Sequence, residues 1–260
     1  MPETEKISLV IITKNEEKNI QRCLESAKGV ADEIIVIDSF SLDKTREICE
    51  QYNARFVTKD WMGYSETKNY GNSLASHEWV LSLDADEALS KKLEESILRE
   101  KKNFRYDAYN FNRIANYCGK WIKHSGWYPD PKMRLWKKSI GNWEGDIHEN
   151  VILNKDIETG WLSGKLLHFS IYSVSQHQDQ INKFSDIFAE SAFNKGKRTN
   201  FFILLLKPIQ RFFLTYIFKL GILDGYYGFL ISVLTAHSIF LRHVKLRQLW
   251  KDFELKEKDE

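Results

Sequence analysis

The sequence has few cysteines, and their number is odd: Cys23, Cys49 and Cys118 are the three in 260 residues. Such a sparse set excludes a disulfide framework and favours a reducing, cytosolic setting. The first six residues are polar and contain no basic segment followed by an apolar run. We therefore expect no secretory signal there.

The sequence also lacks a surplus of charge, because 38 basic residues face 36 acidic ones and the formal charge is +2. A dedicated nucleic-acid binder is usually strongly basic, so we exclude that class and expect no nucleic-acid partner. No glycine-rich phosphate loop follows any predicted strand, which argues against a dinucleotide dehydrogenase or a P-loop enzyme. The hydrophobic fraction of 43% suits a globular fold with a substantial core.

Strands and helices alternate over the first hundred residues. Runs rich in β-branched residues predict strands at 7–12, 33–37, 54–57 and 79–83, with helical spacing between them. The alternation predicts an α/β fold in which helices cover a parallel sheet. Residues 104–170 change to short alternating runs, for which we expect mixed or antiparallel strands and long loops. In such sheets ligands bind outside the carboxyl ends of the strands.

Acidic residues follow three of the predicted strands, at Glu16, at Asp38 and at the pair Asp84 and Asp86. If the strands are neighbours, these carboxylates converge on one crevice. Two carboxylates separated by one residue suit Mg²⁺ or Mn²⁺ bound together with substrate phosphates, although an acidic helix N-cap is the alternative. Asp38 suits a hydrogen bond to a base or ribose, whereas Asp43 is equally well explained as a helix cap.

Two further segments contain groups that suit chemistry. Residues 143–149 hold three acids and a histidine, which suits a general base, but spacing alone slightly favours a polar loop. Residues 121–136 interleave aromatic and polar side chains, which fits a saccharide surface and an aromatic mini-core equally well. Lys132 and Arg134 in that segment also suit a phosphate group.

Taken together, these segments resemble family-2 glycosyltransferases. More narrowly, they resemble the bacterial branch that adds sugars to lipopolysaccharide or lipooligosaccharide core, often called β-1,4-glucosyltransferases. The resemblance covers about residues 7–180. The segments that carry it are Ser8–Glu17, Glu33–Ser39, Asp43–Thr45, Lys68–Asn69, Trp79–Glu87, Gly126–Asp130, Arg134–Trp136, Glu144–Glu149 and Leu167–Ser170.

The resemblance implies a GT-A fold, in which a Rossmann-like nucleotide-binding half with a mixed sheet joins an acceptor half. It implies an inverting transfer from a nucleotide-sugar, which needs one base and no enzymic nucleophile. Asp38 would contact the nucleobase and Asp84 the ribose. The other nucleotide-sugar contacts that it implies are Thr13, Asn15, Glu16, Lys68 and Arg134.

The same resemblance implies a divalent metal and a catalytic base. Asp86 would hold Mg²⁺ or Mn²⁺ on the diphosphate, and His148 would be a further metal ligand or a contact to the diphosphate or sugar. Glu149 is the candidate base, with Asp146 as the second candidate. The metal would neutralise charge that develops on the leaving group.

The sequence departs from the family at Lys14, where many members place an aromatic residue that stacks on the base. A UDP-linked glucose or other hexose is still the expected donor. A saccharide or lipid-linked saccharide, such as lipopolysaccharide core, is the expected acceptor. The alternatives are a polyprenyl-phosphate glycosyltransferase and a nonenzymatic saccharide-binding module, and the acids at the strand end argue against the module.

Residues 201–247 are apolar and basic, with six Lys or Arg against one acid. Charged residues, Pro208 and glycines interrupt this region, so it does not predict a good transmembrane span. We expect helices that lie in a membrane interface, with packing on the catalytic domain or on a second copy, in a homo-oligomer, as the alternative. The predicted domains are a catalytic domain over 1–200, divided near residue 100 into donor and acceptor halves, and a helical region over 201–260. This chain would lie on the inner face of the cytoplasmic membrane.

Overall fold

The structure, a computed structural model, describes residues 4–145, 149–154 and 156–259. Contacts divide the chain into two compact units. The first unit comprises the chain up to Ile114 together with Asp130–Phe169, and the second comprises Ala115–Pro129 and the chain from Ser170 onward. The predicted boundary at residue 200 therefore falls inside the second unit.

The first unit begins with the predicted alternation of strands and helices. Its strands run side by side in the order β3-β2-β1-β4, and each neighbouring pair is parallel. Helices alternate with them and end in a fourth helix, α4. The elements are β1 (Ile7–Thr13), α1 (Ile20–Ala27), β2 (Glu33–Asp38), α2 (Thr45–Gln51), β3 (Arg55–Thr58), α3 (Tyr64–Ser73), β4 (Trp79–Asp84) and α4 (Lys91–Glu100).

Antiparallel strands extend this sheet beyond β4, which makes it a mixed sheet in the order β3-β2-β1-β4-β8-β6-β11-β5. Two further strands, β9 and β10, pair with each other as a separate hairpin. The mixed sheet confirms the predicted fold class. The added elements are β5 (Glu87–Leu89), β6 (Ala108–Tyr117), β7 (Lys120–Trp121), β8 (Asp130–Lys137), β9 (Gly141–Glu144), β10 (Asn150–Leu153) and β11 (Gly160–Ile171).

The parallel strands are buried on both faces because their apolar side chains alternate between two cores. Leu9 and Ile11 pack in one core with residues of α1 and α4. Val10 and Ile12 pack in the other core, on the side that α3 covers. This double burial explains why β1 is a continuous apolar run rather than an alternating one.

The helix after β1 does not follow the strand directly, because a loop over residues 14–19 separates them. Asn15 has a φ of 54°, in the left-handed region, and its side-chain oxygen accepts a hydrogen bond from the backbone N–H of Leu42. Helix α1 instead begins at Ile20, after a turn that Glu16 and Asn19 form. The first loop therefore stays open at the carboxyl end of the sheet, where ligands bind.

The second unit is mainly helical, with α5 (Val174–Asn194), α6 (Phe201–Phe213) and α7 (Tyr226–Asp259). Side chains cap the first two helices, because Ser173 accepts from Gln176 N and Asn200 accepts from Ile203 N. The predicted helical C-terminal region is thus confirmed. Its helices over Phe201–Phe218 and Tyr226–Leu255 are long and apolar enough to cross a membrane by length and composition alone.

A buried acid organises the loops of the second unit. Asp224 is 6% exposed and accepts hydrogen bonds from Lys123 N at 3.1 Å, His124 N at 2.9 Å and Ser125 Oγ at 3.3 Å. The nearby apolar cluster consists of Tyr117, Ile122, Ile171 and Ile231. The only acid of residues 201–247 is therefore satisfied inside its own unit.

Candidate active site

The paired carboxylates lie at the carboxyl end of a central strand. Asp84 is the last residue of β4, and Asp86 lies in the short turn that leads to β5. Helix α4 takes its cap from Ser90, whose hydroxyl accepts from Leu93 N, so neither aspartate is needed as a cap. The helix-cap alternative for this pair is excluded, and both carboxylates are available for other partners.

Lys68 of α3 joins two carboxylates that the sequence places far apart. Its Nζ lies 2.7 Å from Asp84 Oδ1 and 2.8 Å from Glu149 Oε1, and the lysine side chain is 1% exposed. The same ammonium lies 4.4 Å from the centre of the Trp143 ring. The structure thus brings together three residues to which the resemblance had assigned separate roles. Lys68 was a contact to the nucleotide-sugar, Asp84 a contact to the ribose and Glu149 the candidate catalytic base.

Arg134 of β8 is buried against acids from the β4–β5 segment. Its Nη2 lies 2.8 Å from Asp84 Oδ2 and 3.0 Å from Glu87 Oε1. Arg113 of β6 adds a second cation to Glu87 at 3.1 Å, and its Nε donates to Asp130 Oδ2 at 2.8 Å. Strands β6 and β8 therefore supply the two arginines, while β4 and β5 supply Asp84 and Glu87.

These ion pairs shift the acid–base behaviour of the buried acids. Burial alone would raise the pKa of Asp84, but the charges of Lys68 and Arg134 hold it well below its usual range. Burial and the neighbouring Asp84 oppose ionisation of Glu87, yet Arg134 and Arg113 lower its pKa. Both carboxylates are therefore held ionised at neutral pH.

Asp86 faces a histidine from the far edge of the sheet. His168 Nε2 lies 3.1 Å from Asp86 Oδ2, and the backbone holds the pair in register because Phe169 N donates to Asp86 O. A carboxylate oxygen and an imidazole nitrogen are both common metal donors. Within the described ranges no cluster of three or more His, Cys, Asp or Glu side chains could hold a metal ion, so these ranges offer an ion no further side-chain ligand beside this pair.

The other acids of the strand ends have distinct partners. Asp38 is 2% exposed and accepts from Thr13 Oγ1 at 2.9 Å and from Ser41 N at 2.8 Å. Asp43 accepts from Thr45 N at 3.0 Å, which agrees with the helix-cap explanation for that residue. Asp38 is thus positioned by the first two loops together and does not cap a helix.

Glu16 shows that the strand ends converge. Burial raises its pKa, the hydrogen bond from Asn19 opposes that change, and the charges of Asp86, Asp43 and Asp84 raise it further. These carboxylates lie at or just after the ends of β1, β2 and β4. Their mutual repulsion indicates that the three strands end at the same edge of the sheet. The convergence that topology predicted is present.

A cavity of about 560 Å³ opens beside Asp84 and Glu149. Its wall includes Arg134 and Trp143, and the buried Arg134 Nε and Trp143 Nε1 have no hydrogen-bond partner among the described residues. Two buried N–H donors without acceptors suit a ligand rich in oxygen. Asn110, Arg113 and Lys132 also line the cavity.

The aromatic segment at 121–136 contributes to packing in each unit. In the first unit, Trp136 is fully buried and packs edge-on against Trp143 with ring centres 5.7 Å apart. In the second unit, Trp127 packs edge-on against Tyr117 at 5.8 Å. The mini-core explanation therefore applies to these two tryptophans.

Sequence reasoning missed three residues of the site, Glu87, Arg113 and His168, and assigned them no role. Their side-chain partners lie 17 to 82 positions away along the chain, so local spacing carried no signal for them. His168 was the most accessible to reasoning, because it stands between the apolar residues Leu167 and Phe169. Asp146 and His148, which the resemblance assigned, lie outside the described residues.

The sequence model described as "Glycosyl transferase family 2" matches residues 8–160. An uncharacterized glycosyltransferase of Rickettsia conorii is 33% identical over 94% of this chain and 91% of that protein. The lipopolysaccharide core biosynthesis glycosyltransferase LpsC of Rhizobium meliloti is 28% identical over 91% of this chain and 93% of its own length.

Two solved structures are similar at low sequence identity. S. aureus TarS (residues 1–349) aligns with a TM-score of 0.44 and 15% identity over 95% of this chain and 91% of that one. Glucosyl-3-phosphoglycerate synthase from Mycobacterium tuberculosis, solved with Mn²⁺ and UDP-glucose, aligns with a TM-score of 0.36 and 21% identity. That second alignment covers 43% of this chain and 44% of the synthase.

Proposed function

Because the chain belongs to glycosyltransferase family 2, we propose that it moves a hexose from a nucleotide-diphosphate sugar to a hydroxyl group of a saccharide, with inversion. A UDP-linked glucose or related hexose is the proposed donor. The proposed acceptor is a saccharide of the lipopolysaccharide core, a class supported by the relative LpsC.

The observation that carries the proposal is the junction at Lys68. Its ammonium holds Asp84, on the side where a donor would bind, and Glu149 beside the same cavity of about 560 Å³. A transferase that inverts needs one carboxylate base close to, but distinct from, the groups that bind the donor. This junction keeps the two carboxylates apart while fixing both.

Glu149 is the proposed base. Its carboxylate would take the proton from the acceptor hydroxyl while that oxygen forms a bond to the anomeric carbon. The bond from the anomeric carbon to the diphosphate oxygen breaks, and the leaving diphosphate takes that electron pair. Asp146 is the second candidate and lies outside the described residues.

Asp86 and His168 are the proposed protein ligands of a divalent cation. The carboxylate oxygen suits Mn²⁺ or Mg²⁺ that also binds substrate phosphates, and the imidazole nitrogen favours Mn²⁺ over Mg²⁺. Such an ion, when bound, would neutralise negative charge on the leaving diphosphate. The family resemblance also assigned His148, which stays a prediction.

The nucleobase end of the donor is proposed to lie over the first two loops. Thr13 and Ser41 orient the buried Asp38 carboxylate, and Asn15 ties the first loop to the second. Lys14 donates to Ser39 O at 2.7 Å, so this lysine also holds the second loop in place. Asp38 would then accept a hydrogen bond from the base or ribose.

The experiment is a donor screen followed by a transfer assay with the purified chain. Thermal shifts with a panel of nucleotide-sugars and Mn²⁺ should identify one donor, because a ligand that binds the folded state raises its stability. Release of the nucleoside diphosphate should then depend on an added core saccharide. Transfer to a polyprenyl phosphate instead would overturn the saccharide acceptor, and binding without turnover would support a binding module.

Variants test the metal ligands by a readout other than activity. Asp86→Asn and His168→Asn should each weaken calorimetric Mn²⁺ binding in the presence of UDP by about tenfold or more. Asp60→Asn, an exposed acid of the same unit, is the matched control and should bind normally. Unchanged Mn²⁺ affinity in both site variants would contradict the assignment.

A further inference from the structure

Helix α6 exposes a continuous apolar stripe. Phe202, Leu206, Ile209 and Phe213 are 69%, 56%, 49% and 51% exposed. Their spacing of i, i+4, i+7 and i+11 places them along one face of a helix. Exposed apolar patches of this kind mark surfaces that bind a membrane or another protein.

The stripe does not belong to a core helix. Over Phe201–Phe218 the mean hydropathy is 1.5, yet only 6% of this segment is buried. A core helix of that hydropathy would be mostly covered by the protein. The apolar side chains of this segment are therefore not covered by the described part of the chain.

A basic cavity of about 340 Å³ lies between the helices of the same unit. Lys207 and Arg211 reach it from α6, at the i, i+4 spacing that puts them on one face, and Arg242 and His243 reach it from α7. In the described part of the chain, the side chains of Lys207, Arg211 and Arg242 form neither an ion pair with an acid nor a hydrogen bond. The Nε of Arg242 is buried and unpaired.

The electrostatics of this cavity are unfavourable without a counter-ion. Burial lowers the pKa of Arg242, and the positive charge of Arg211 lowers it further. Burial also lowers the pKa of His243, with additional repulsion from Lys207 and Arg242. The site thus gathers like charges in a partly dry space, which an anion would stabilise.

We propose that the cavity between α6 and α7 binds the phosphate of an anionic phospholipid while the α6 stripe enters the apolar layer of the same membrane. The two features lie on the same helix, and a lipid combines one phosphate with apolar chains. Residues 201–247 hold six Lys or Arg against one acid, and that acid, Asp224, is already engaged by backbone groups. Of these six cations, Lys207, Arg211 and Arg242 line the cavity, and together with the apolar stripe they are complementary to an anionic lipid surface rather than to a neutral one.

Flotation of the full-length chain with vesicles tests this proposal. Vesicles in which a third of the lipid is phosphatidylglycerol should bind the protein at least about tenfold more tightly than pure phosphatidylcholine. The triple variant K207Q/R211Q/R242Q should lose that preference. The double variant F202S/L206S should lose binding to both kinds of vesicle.

A matched control separates the cavity from general positive charge. K183Q/R247Q/K251Q removes three exposed cations from α5 and α7, outside the lining of the cavity, and should bind vesicles like the unmodified chain. Equal loss in both triple variants would overturn the phosphate site. Circular dichroism would verify that each variant is folded.

Three other outcomes would also overturn the proposal. Binding of inorganic phosphate in solution, with vesicle binding unchanged by the cavity variants, would assign the site to a free phosphate. A dimer that F202S/L206S dissociates, without vesicle binding, would assign the stripe to a second copy. Resistance to carbonate extraction from membranes would indicate helices that span the bilayer. None of these results depends on glycosyl transfer, so the proposed function is tested separately.

Discussion

At the scale of single residues, Lys68 combines burial with two anionic partners. The side chain is 1% exposed, and the carboxylates of Asp84 and Glu149 lie 2.7 and 2.8 Å from its Nζ, so both form buried ion pairs with it. Removal of that cation would leave two carboxylates facing each other. The residue therefore matters to stability and to the geometry of the site at once.

We expect Lys68→Met to lower the free energy of unfolding by about 3–5 kcal/mol, because it leaves buried charge uncompensated. Urea unfolding followed by fluorescence would measure the loss. Lys92→Met, an exposed lysine of α4, is the control and should change stability by less than about 0.5 kcal/mol. Lys68→Met/Asp84→Asn should recover part of the loss, and a fully additive double variant would contradict the coupling.

Glu149→Gln should lower kcat by about 10²–10⁴ while the affinity for donor stays within twofold, because the amide keeps the shape but cannot accept the proton. Steady-state kinetics and donor titration would separate the two effects. Glu144→Gln, an exposed acid on β9, is the matched control. Normal turnover in Glu149→Gln together with loss in Asp146→Asn would move the base to Asp146.

Residue types at strand ends were predictable, but their partners were not. Asp38, Asp84 and Asp86 were found because polar residues directly follow apolar strands. The pairing of Arg134 with Glu87 and of His168 with Asp86 arises from antiparallel strands that meet only in the folded sheet. Local sequence carries the candidates for the site, and tertiary contacts select among them.

At the scale of elements, α3 approaches the sheet unusually closely. A Cβ added at Gly71 would lie 2.5 Å from Val10 Cγ1 and 3.1 Å from Ile37 Cγ1. Helix α3 can place Lys68 at the end of β4 only if residue 71, which faces the sheet, has no side chain. The glycine is therefore a packing requirement and not a helix break.

Gly71→Ala should lower the free energy of unfolding by about 1–3 kcal/mol through overpacking, although alanine favours helices more than glycine. Thermal unfolding would report the change. Ser73→Ala, exposed on the same helix, should leave stability nearly unchanged. The pair Gly71→Ala/Val10→Ala should be less destabilised than the sum of its singles, and strict additivity would contradict the steric explanation.

Elements of the first unit were more predictable than those of the second. The four parallel strands have β-branched runs between polar loops, and their predicted ranges match the structure closely. Helix α6 continues through Pro208, and the apolar segment extends to Phe218, although charges and proline in this region had argued against a transmembrane span. Tertiary packing against α7 supports this helix, which no local pattern could show.

At the scale of the whole molecule, acid should destabilise the fold in two steps. Burial lowers the pKa of His177 and His243 below the ordinary value of 6.5, so the unfolded chain binds protons that the folded chain does not. Stability from these groups is complete above about pH 6.5 and declines as the pH falls. Asp84 and Glu87, whose pKa values lie below 3.8 and 4.5, add a second loss below about pH 4.

Melting temperatures between pH 8 and pH 3 would show both steps, and hydrogen exchange would assign the first to the second unit. His177→Gln/His243→Gln should flatten the step between about pH 7 and pH 5. His77→Gln, at a half-buried histidine of the other unit, is the control. A melting temperature that rises as the pH falls from 7 to 5 would contradict the direction of these shifts.

The ion pairs of the active site have a consequence for how a donor can enter. Acidic and cationic side chains alternate along one unbranched series of ion pairs. The series has four of each, so it carries no net charge. Its members, in order, are Glu149, Lys68, Asp84, Arg134, Glu87, Arg113, Asp130 and Lys132. The cations that a diphosphate would meet here already pair with neighbouring acids. Lys132, the last member of the series, pairs with Asp130 alone among the described residues. We therefore expect a divalent cation that binds together with the proposed donor to compensate the charge of the diphosphate, so that the apparent affinity for the donor follows the concentration of that cation.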